Sequence, residues 1–228
     1  MRIGSLNIRS LNTKYEIVKE LITDEQLDVF SCQETWHCVT NDPILQAATP
    51  SGYQFIDAVR KDQPGFGGLC IFFKNSFKSC QLKLPDLTSF ECVGLELCDA
   101  QSSVSIISIY RSPSDGVNDF IIEFDDLLDR LSSFGRPVVI TGDLNVHWEV
   151  PHILRTARLM KMVFSQRLEQ HIESVTHRKG GVIDVVLTDA KGLITNIAVE
   201  ELREDITDHS IITFTYTVQA KIKKQVSS

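Results

Sequence analysis

Several things are missing from this 228-residue sequence, and each absence closes off a class of function. No apolar run approaches the roughly 20 residues that a membrane-spanning helix needs. The opening Met1-Arg2-Ile3-Gly4-Ser5-Leu6-Asn7 alternates like a strand and does not resemble a signal peptide. Six cysteines (Cys32, Cys38, Cys70, Cys80, Cys92 and Cys98) form no CxxC pair, and six histidines show no zinc-type spacing with them. The cysteines sit mostly inside apolar runs and read as reduced, buried thiols of an intracellular protein. A positive charge balance is missing too. The formal net charge is −7, so global electrostatics do not advertise a nucleic-acid binder. Nor do they exclude one. An enzyme that gathers carboxylates around a cation is negative at its centre, and phosphate contacts need only a local basic rim. Arg9, Lys14, Arg111, Arg178 and Lys179 are candidates for that rim, although each taken singly reads as a solvated surface charge. Pro64-Gly65-Phe66-Gly67-Gly68 is glycine-rich but leads into a strand, whereas a phosphate-cradling loop opens a helix.

What is present is ordinary in bulk: 43% hydrophobic and 23% charged residues, the composition of a soluble globular domain. The length fits one domain over residues 1–218, followed by a basic, flexible tail at 219–228 containing Lys221-Ile222-Lys223-Lys224. Strand one covers 2–8. Thr13 and Glu16 match a capping box, opening a helix whose stripe is Tyr15, Val18, Leu21 and Ile22. Leu27–Cys32 is the next strand. The stretch 37–66 reads as loops with a short helix near Ile44–Ala48. Strands follow at 69–73, 79–83, 91–98 and 103–110, the last two joined by a hairpin at 99–102. The stripe Val117, Phe120, Ile121, Phe124, Leu127, Leu128 and Leu131 is a helix that ends before Gly135-Arg136-Pro137. Thus strand, helix, strand occurs twice, and the exits Asn7-Ile8-Arg9-Ser10 and Tyr110-Arg111-Ser112 look alike. A pseudo-repeat of this kind would bring both pairs of strand ends together. Ile153, Ala157, Met160, Phe164 and Leu168 form a further helical stripe, opened by Pro151. Strands are expected at 171–175, 182–187, 194–199 and 210–216. Many strands with few helices between them argue for two sheets packed face to face, with helices outside.

The chemistry gathers at strand ends. Pro137-Val138-Val139-Ile140-Thr141 is a strand buried on both faces that stops at Gly142-Asp143-Leu144-Asn145. Taken alone, Gly142-Asp143 is better read as a turn capped by Asn145. The balance changes because Asn7, Glu34, Tyr110, Asp208 and His209 also stand at strand ends, with Asp184 an acid in a run of Ile and Val. Glu34, helped by Asn7 or Asp208, offers hard oxygen ligands suited to Mg²⁺. His209 beside Asp184 is an arrangement that fixes a tautomer and raises basicity. Asp143 can take a proton from water, Asn145 can hold the nucleophile, and Tyr110 can reach a non-bridging oxygen. The sum is metal-assisted phosphodiester hydrolysis.

Asn7, Gln33-Glu34, Tyr110, Gly142-Asp143-Leu144-Asn145, Ile183-Asp184-Val185 and Asp208-His209-Ser210 resemble, in order and across nearly the whole chain, the motifs of the endonuclease/exonuclease/phosphatase superfamily. The resemblance implies a four-layered α/β sandwich of the DNase I type: two packed, mostly antiparallel sheets flanked by helices. It also implies Mg²⁺-dependent phosphoester hydrolysis, with Mn²⁺ as a substitute and no organic cofactor. In that pattern Glu34 is the chief metal ligand, Asp143 and Asn145 stand at the nucleophile, and His209 with Asp184 meets the phosphate. Tyr110, where many branches have His, resembles the apurinic/apyrimidinic endonucleases. The run Gly142–Trp148, with Thr176–Asp184 and Thr207–Ser210, is similar to endonuclease domains of LINE-type (non-LTR) retrotransposons, although Thr207 stands where Ser is frequent. Such domains nick double-stranded DNA and leave a 3′-hydroxyl that primes reverse transcription. The implied setting is a monomeric domain cut from a polypeptide that carries a reverse transcriptase, acting on nuclear DNA and away from membranes. Arg9, Arg111, Thr176, Arg178, Lys179 and Thr207 are the expected DNA contacts, although the 176–181 loop equally fits an exposed turn. Three rivals stand beside this reading. One is an abasic-site repair endonuclease, another is a small-molecule or lipid phosphoesterase, and the last is a relic that binds a partner without catalysis.

Overall fold

A computed structural model of the chain describes residues 1–98, 103–189 and 193–217. The hairpin at 99–102 and the basic tail at 219–228 lie outside the described residues. In chain order the elements are β1 (Arg2–Asn7), α1 (Tyr15–Asp24), β2 (Val29–Gln33), α2 (Pro43–Ala48), β3 (Tyr53–Ala58), β4 (Leu69–Lys74), β5 (Lys78–Gln81) and β6 (Glu91–Cys98). They continue with β7 (Ser103–Tyr110), α3 (Val117–Ser133), β8 (Val138–Asp143), α4 (Leu154–Ser165), β9 (Glu169–Gln170), β10 (Asp184–Thr188), β11 (Ile194–Glu201) and β12 (Ser210–Tyr216).

The strands form two six-stranded sheets, ordered β11-β12-β1-β2-β4-β3 and β5-β6-β7-β8-β10-β9. Each sheet holds a single parallel pair among antiparallel neighbours: β1 with β2, and β7 with β8. These are the two strand-helix-strand units, so the pseudo-repeat in the sequence corresponds to equivalent places in the two sheets. Parallel pairing sends both exits of each pair toward the same end. Three apolar clusters make the layers. Ile3, Val29, Ile71, Val93, Ile106, Val139, Val186 and Phe214 fill the space between the sheets. Phe120, Phe124, Leu127, Leu159 and Val163 pack α3 and α4 on Ile107, Ile109 and Ile140 of the second sheet. Val18, Ile22, Leu45 and Ala48 pack α1 and α2 on Leu6, Phe30 and Phe72 of the first. The result is the helix-sheet-sheet-helix sandwich that the resemblance implied.

Local departures from the expected elements each have a physical reason. The capping box at Thr13 does not form: α1 starts at Tyr15 with Lys14 as N-cap and no side-chain cap. The Lys14 ammonium instead bonds the carbonyls of Ile8 and Arg9, at 2.8 and 2.9 Å, tying the helix start to the β1 exit. β3 interrupts the stretch read as loops. It is an edge strand, and only Asp57 of it is buried, so its side chains carry no clean alternation. The face of α4 was misread: Thr156, Leu159, Met162 and Val163 are buried, while Phe164 is 78% exposed. The strand expected at 171–175 is replaced by the two-residue pairing of Glu169–Gln170 with β10. Asp184 is the first residue of β10, which starts two residues later than the expected strand at 182–187. Of the six free cysteines, Cys32 and Cys70 are buried, Cys92 and Cys98 half-buried, and Cys38 and Cys80 exposed, so burial is not general.

Gly142 is the tightest point of the sheet. Its φ is +142°, and a Cβ there would lie 1.9 Å from the Ile109 carbonyl oxygen, a backbone atom that cannot step aside. Gly142→Ala therefore combines left-handed strain with a clash inside the central β7–β8 pair. It should cost about 3 kcal/mol or more in urea unfolding. A loss below about 1 kcal/mol would show that this close approach is not rigid.

Candidate active site

The residues between the sheets change character along the parallel strands. β1 runs Ile3, Ser5, Asn7 on that face; β2 runs Val29, Ser31, Gln33; β7 runs Ile106, Ser108, Tyr110; β8 runs Val139, Thr141, Asp143. With a period of two, each strand passes from aliphatic to hydroxyl to functional group as it nears its exit. The hydroxyl layer bonds across the gap, Ser31 to Ser108 at 2.7 Å and Gln33 Nε2 to Ser108 at 3.1 Å.

At the exits, Asn7 Nδ2 donates to Glu34 Oε1 at 2.8 Å and to Asp143 Oδ2 at 3.0 Å. Glu34 follows β2 in the left-handed region, φ +51°, and so turns off the strand line. Trp36 Nε1 donates to its Oε2 at 3.2 Å, and Tyr110 hydrogen-bonds the same carboxylate. Burial first, and Glu34 second, push the Tyr110 phenol well above its usual range, keeping it a neutral donor. Asn145, at φ +49°, donates its backbone N–H to Asp143 Oδ1 at 2.8 Å and its Nδ2 to Asp143 Oδ2 at 3.1 Å. The turn and the site are one structure here: the chain bends sharply, and the bend aims both groups at one place.

On the opposing strands, Asp184 lies directly across from Asp143 in the antiparallel β8–β10 register. His209 Nδ1 meets Asp184 Oδ1 and Oδ2 at 3.1 and 3.0 Å, and its Nε2 lies 3.8 Å from Asp143 Oδ2. Burial works to lower the His209 pKa, but Asp184 and then Asp143 outweigh it and raise it to about 9. Asp143 moves up as well, driven by burial and then by the Asp184 charge. For Asp208, burial pushes upward but the Arg9 guanidinium, 2.6 Å away, brings the carboxyl below its usual range.

Glu34, Tyr110, Asp143, Asn145, Asp208 and His209 line a single open cavity of about 410 Å³. Asn7 lies beneath it. Its Nδ2 faces the carboxylates while its Oδ1 accepts from Arg9 N–H at 3.2 Å. In that orientation Asn7 organises Glu34 and Asp143. Glu34 and Asp208 fit the role of metal ligands. Both line the cavity, both present hard oxygens, and Asp208 Oδ1 is buried with no hydrogen-bond partner. Two further sets bring ligating atoms within 4.8 Å of one another: His177, Asp208 and His209, and Asp143, Asp184 and His209.

The expected DNA contacts divide. Arg9 and Lys179 line the cavity, and Arg178 lines the groove beside it. Arg111, 2% exposed, does not face a ligand. Its guanidinium donates to the carbonyls of Leu144, Asn145 and Asp115, clamping the turn that carries Asn145. Thr176 is buried too, its Oγ1 accepting from the backbone of Ile183 and Asp184, both at 3.1 Å. Thr207 donates to the Asn7 carbonyl at 2.8 Å and accepts from His209 N–H at 3.2 Å. These three hold the site together from behind.

Two groups escaped the sequence reading. His177 Nδ1 accepts from Lys179 N–H, so its proton sits on Nε2, 3.2 Å from Asp208 Oδ2. Its ring meets His209 edge-on, with centroids 4.8 Å apart. The other is a buried chain in which Thr35 Oγ1 lies 2.6 Å from His37 Nδ1, and His37 Nε2 lies 3.2 Å from Asp57. It pins the turn that holds Glu34. Thr176-His177 falls in the 176–181 loop, but nothing in the sequence marks which polar loop residues pair.

The His209 ion pair makes a direct prediction. NMR titration of metal-free protein should give His209 an apparent pKa near 9, and Asp184→Asn should lower it by roughly one unit or more. A raised histidine pKa adds stability that is complete below about 6.5 and lost as pH rises through the folded value. An imidazole titrating at or below 6.5 would mean that the Asp184 pair does not hold it charged.

Comparisons with known proteins bear on the family and the fold. Residues 4–209 match the model of the Endonuclease/Exonuclease/phosphatase family. No curated protein matches the sequence. Among solved structures, the endonuclease domain of TRAS1, a telomere-specific non-LTR retrotransposon, is 17% identical with a TM-score of 0.74, covering 96% of this chain and 98% of that one. The AP endonuclease LMAP of Leishmania major is 14% identical, also at TM-score 0.74, covering 95% of this chain and 87% of that one. The 3′ phosphatase NExo from Neisseria, bound to a product DNA hairpin, is 18% identical at TM-score 0.70, covering 95% and 99%. At these identities the likeness is one of fold; with the family match over nearly the whole length, this chain belongs to the endonuclease/exonuclease/phosphatase family of phosphoester hydrolases.

Proposed function

We propose that the chain is a metal-dependent DNA endonuclease that nicks one strand of a duplex and leaves a 3′-hydroxyl, as the target-priming endonuclease domain of a LINE-type retrotransposon. The observation that carries the nucleic-acid part is the shape of the site. The catalytic cavity shares Arg9, Trp36, Lys179 and Asp208 with an adjoining groove that adds Lys14 and Arg178 and is also lined by Glu204 and Asp205. A groove that leads out of a phosphoesterase site and adds Lys14 and Arg178 to Arg9 and Lys179 offers a polyanion cationic contacts beyond the scissile group, which a single small ester would not use. The fold likeness to the TRAS1 domain over nearly all of both chains supports the retrotransposon part. Intracellular action on nuclear DNA, as a monomeric domain, belongs to the same proposal.

Mg²⁺, with Mn²⁺ as a substitute, would be held by Glu34 and Asp208 and would supply charge neutralisation at the phosphate and the leaving oxygen. The chain's own groups do the rest. Asp143 accepts a proton as a water oxygen bonds to phosphorus and the phosphorus–O3′ bond breaks; Asn145, bonded to Asp143, holds the attacking water in line. His209, kept protonated by Asp184, donates from Nε2 to a non-bridging oxygen as charge develops there. Tyr110, held neutral, would be a second donor once its one proton turns from Glu34 to the phosphate. The O3′ departs as the new strand end and is protonated from solvent.

Supercoiled plasmid with Mg²⁺ should yield nicked circles whose 3′ ends a polymerase extends directly. Chelation should stop the reaction, and added Mg²⁺ should restore it. Asp143→Ala and His209→Ala should each reduce nicking by roughly 10³-fold or more while the fold is kept. Undiminished nicking by both variants overturns the site. Cleavage of an abasic-site oligonucleotide far faster than any intact DNA reassigns the chain to repair.

A further inference from the structure

One wall of the cavity has no part in the chemistry above. Trp36 and Phe66 lie with ring centroids 5.5 Å apart, tilted by 47°, and both line the cavity with Glu34, Tyr110, Asp143 and His209. Phe66 is 53% exposed and belongs to none of the three core clusters. Phe66 thus keeps about half its surface in water beside the catalytic centre, paired with a second aromatic ring.

The surrounding backbone is built to keep it there. Trp36 has φ +55°, a conformation costly for a bulky side chain. Its N–H donates to the Gly67 carbonyl at 2.8 Å, and Thr35 N–H donates to that of Gly68 at 3.2 Å. Gly65, Gly67 and Gly68 all have positive φ, and a Cβ on Gly67 would lie 2.2 Å from Glu91 Oε1. The half-buried Glu91 accepts the Gly68 N–H at 2.6 Å and so anchors the loop from beneath. Trp36 Nε1 also binds Glu34, which fixes the indole plane relative to the reacting phosphate. The same cavity is lined by Arg9, His177, Lys179 and His209, the cationic and donor groups, and by Arg60 and Gln63. It therefore combines phosphate-binding polar groups with an exposed aromatic pair.

Resting on the nucleic-acid reading above, we infer that Trp36 and Phe66 form a stacking platform for a nucleobase next to the scissile phosphate, one that has left its own stack in the duplex. Every base has a π-face, so such a platform favours strands that unstack easily and reads no base edge. It makes local deformability part of substrate choice.

The test uses the whole chain in chelator, with fluorescence anisotropy as the readout. The probes are a short single-stranded DNA oligonucleotide and a strand of the same length built from tetrahydrofuran abasic units, which keeps every phosphate and removes every base. The unsubstituted protein should bind the base-bearing strand roughly ten-fold more tightly. Phe66→Ala should remove most of that preference while leaving abasic-strand affinity unchanged, and Phe66→Tyr should restore it. In Mg²⁺, Phe66→Ala should raise KM for duplex nicking with little change in kcat. Plasmid nicking by a protein that binds both strands equally, or by a Phe66→Ala variant that keeps the full preference, overturns the platform and leaves the endonuclease reading standing. Retained preference without cleavage of any DNA supports the platform and overturns the endonuclease. Neither preference nor cleavage overturns both.

Discussion

The site depends on one buried amide. Asn7 is fully enclosed, and its side chain and backbone together join four parts of the chain. The Nδ2 protons go to Glu34 at the end of β2 and to Asp143 at the end of β8, in the other sheet. Its Oδ1 receives Arg9 N–H, and its backbone carbonyl receives the hydroxyl of Thr207, which leads into β12. In a low-dielectric setting, hydrogen bonds to carboxylates are strong, and an unpaired carboxylate is costly. Asn7 thus fixes the separation of the two sheets at the one end where aliphatic packing has stopped.

That end has to be polar, and the strands arrange it gradually. The inward faces pass from Ile3, Val29, Ile106 and Val139 through Ser5, Ser31, Ser108 and Thr141 before reaching the functional groups. A sheet pair filled with aliphatic residues to its rim would leave carboxylates no partners. The hydroxyl layer supplies short, compact donors and acceptors, and Gln33 ties three of them together at 2.7 to 3.4 Å. Networks of this kind add specificity more surely than they add stability. They select the register in which Asn7 faces Gln33 and Tyr110 faces Asp143, out of many that the aliphatic halves alone would accept.

The same strand logic explains what the sequence disclosed. Asp143, Asp184 and His209 were legible because a polar residue at the end of a β-branched run has few structural reasons to be there, and the strands that carry them are strongly patterned. Two parallel strand-helix-strand units were legible from helix stripes and stop signals. The loops were opaque. Glu34, Trp36 and Asn145 all sit at positive φ, and no periodicity says where a side chain points after such a residue. For that reason the partnership of His177 with Asp208, and that of Thr35, His37 and Asp57, could not be read. Arg111 was misassigned because a cation spent on three backbone carbonyls has the same sequence signature as one offered to solvent. The face of α4 was misread because Phe164 and Met160 fit a helical stripe as well as Leu159 and Val163 do. Only packing against α3 and β8 decides between them.

Charge at the centre explains how a chain of net charge −7 can still suit an anionic substrate. Asp143, Asp184 and Glu34 converge on a small volume with His209 as the one cationic partner among them. Burial and mutual repulsion raise the Asp143 pKa, and attraction to the acids raises that of His209. The cluster is short of positive charge, which is the condition under which hard oxygen ligands gain most from a divalent cation. Arg9 could have filled that deficit, but it is turned outward to Asp208, whose Oδ2 it shares with His177. Only Asp208 Oδ1 is left open. The rim charges are thereby used to orient one carboxylate and to leave the centre electron-rich. A divalent cation held in that deficit would concentrate positive charge at the centre, with Lys179 and Arg178 lining the approach. A uniformly basic surface would bind phosphate everywhere and position it nowhere; a negative chain with one such cation site would bind it at a single point.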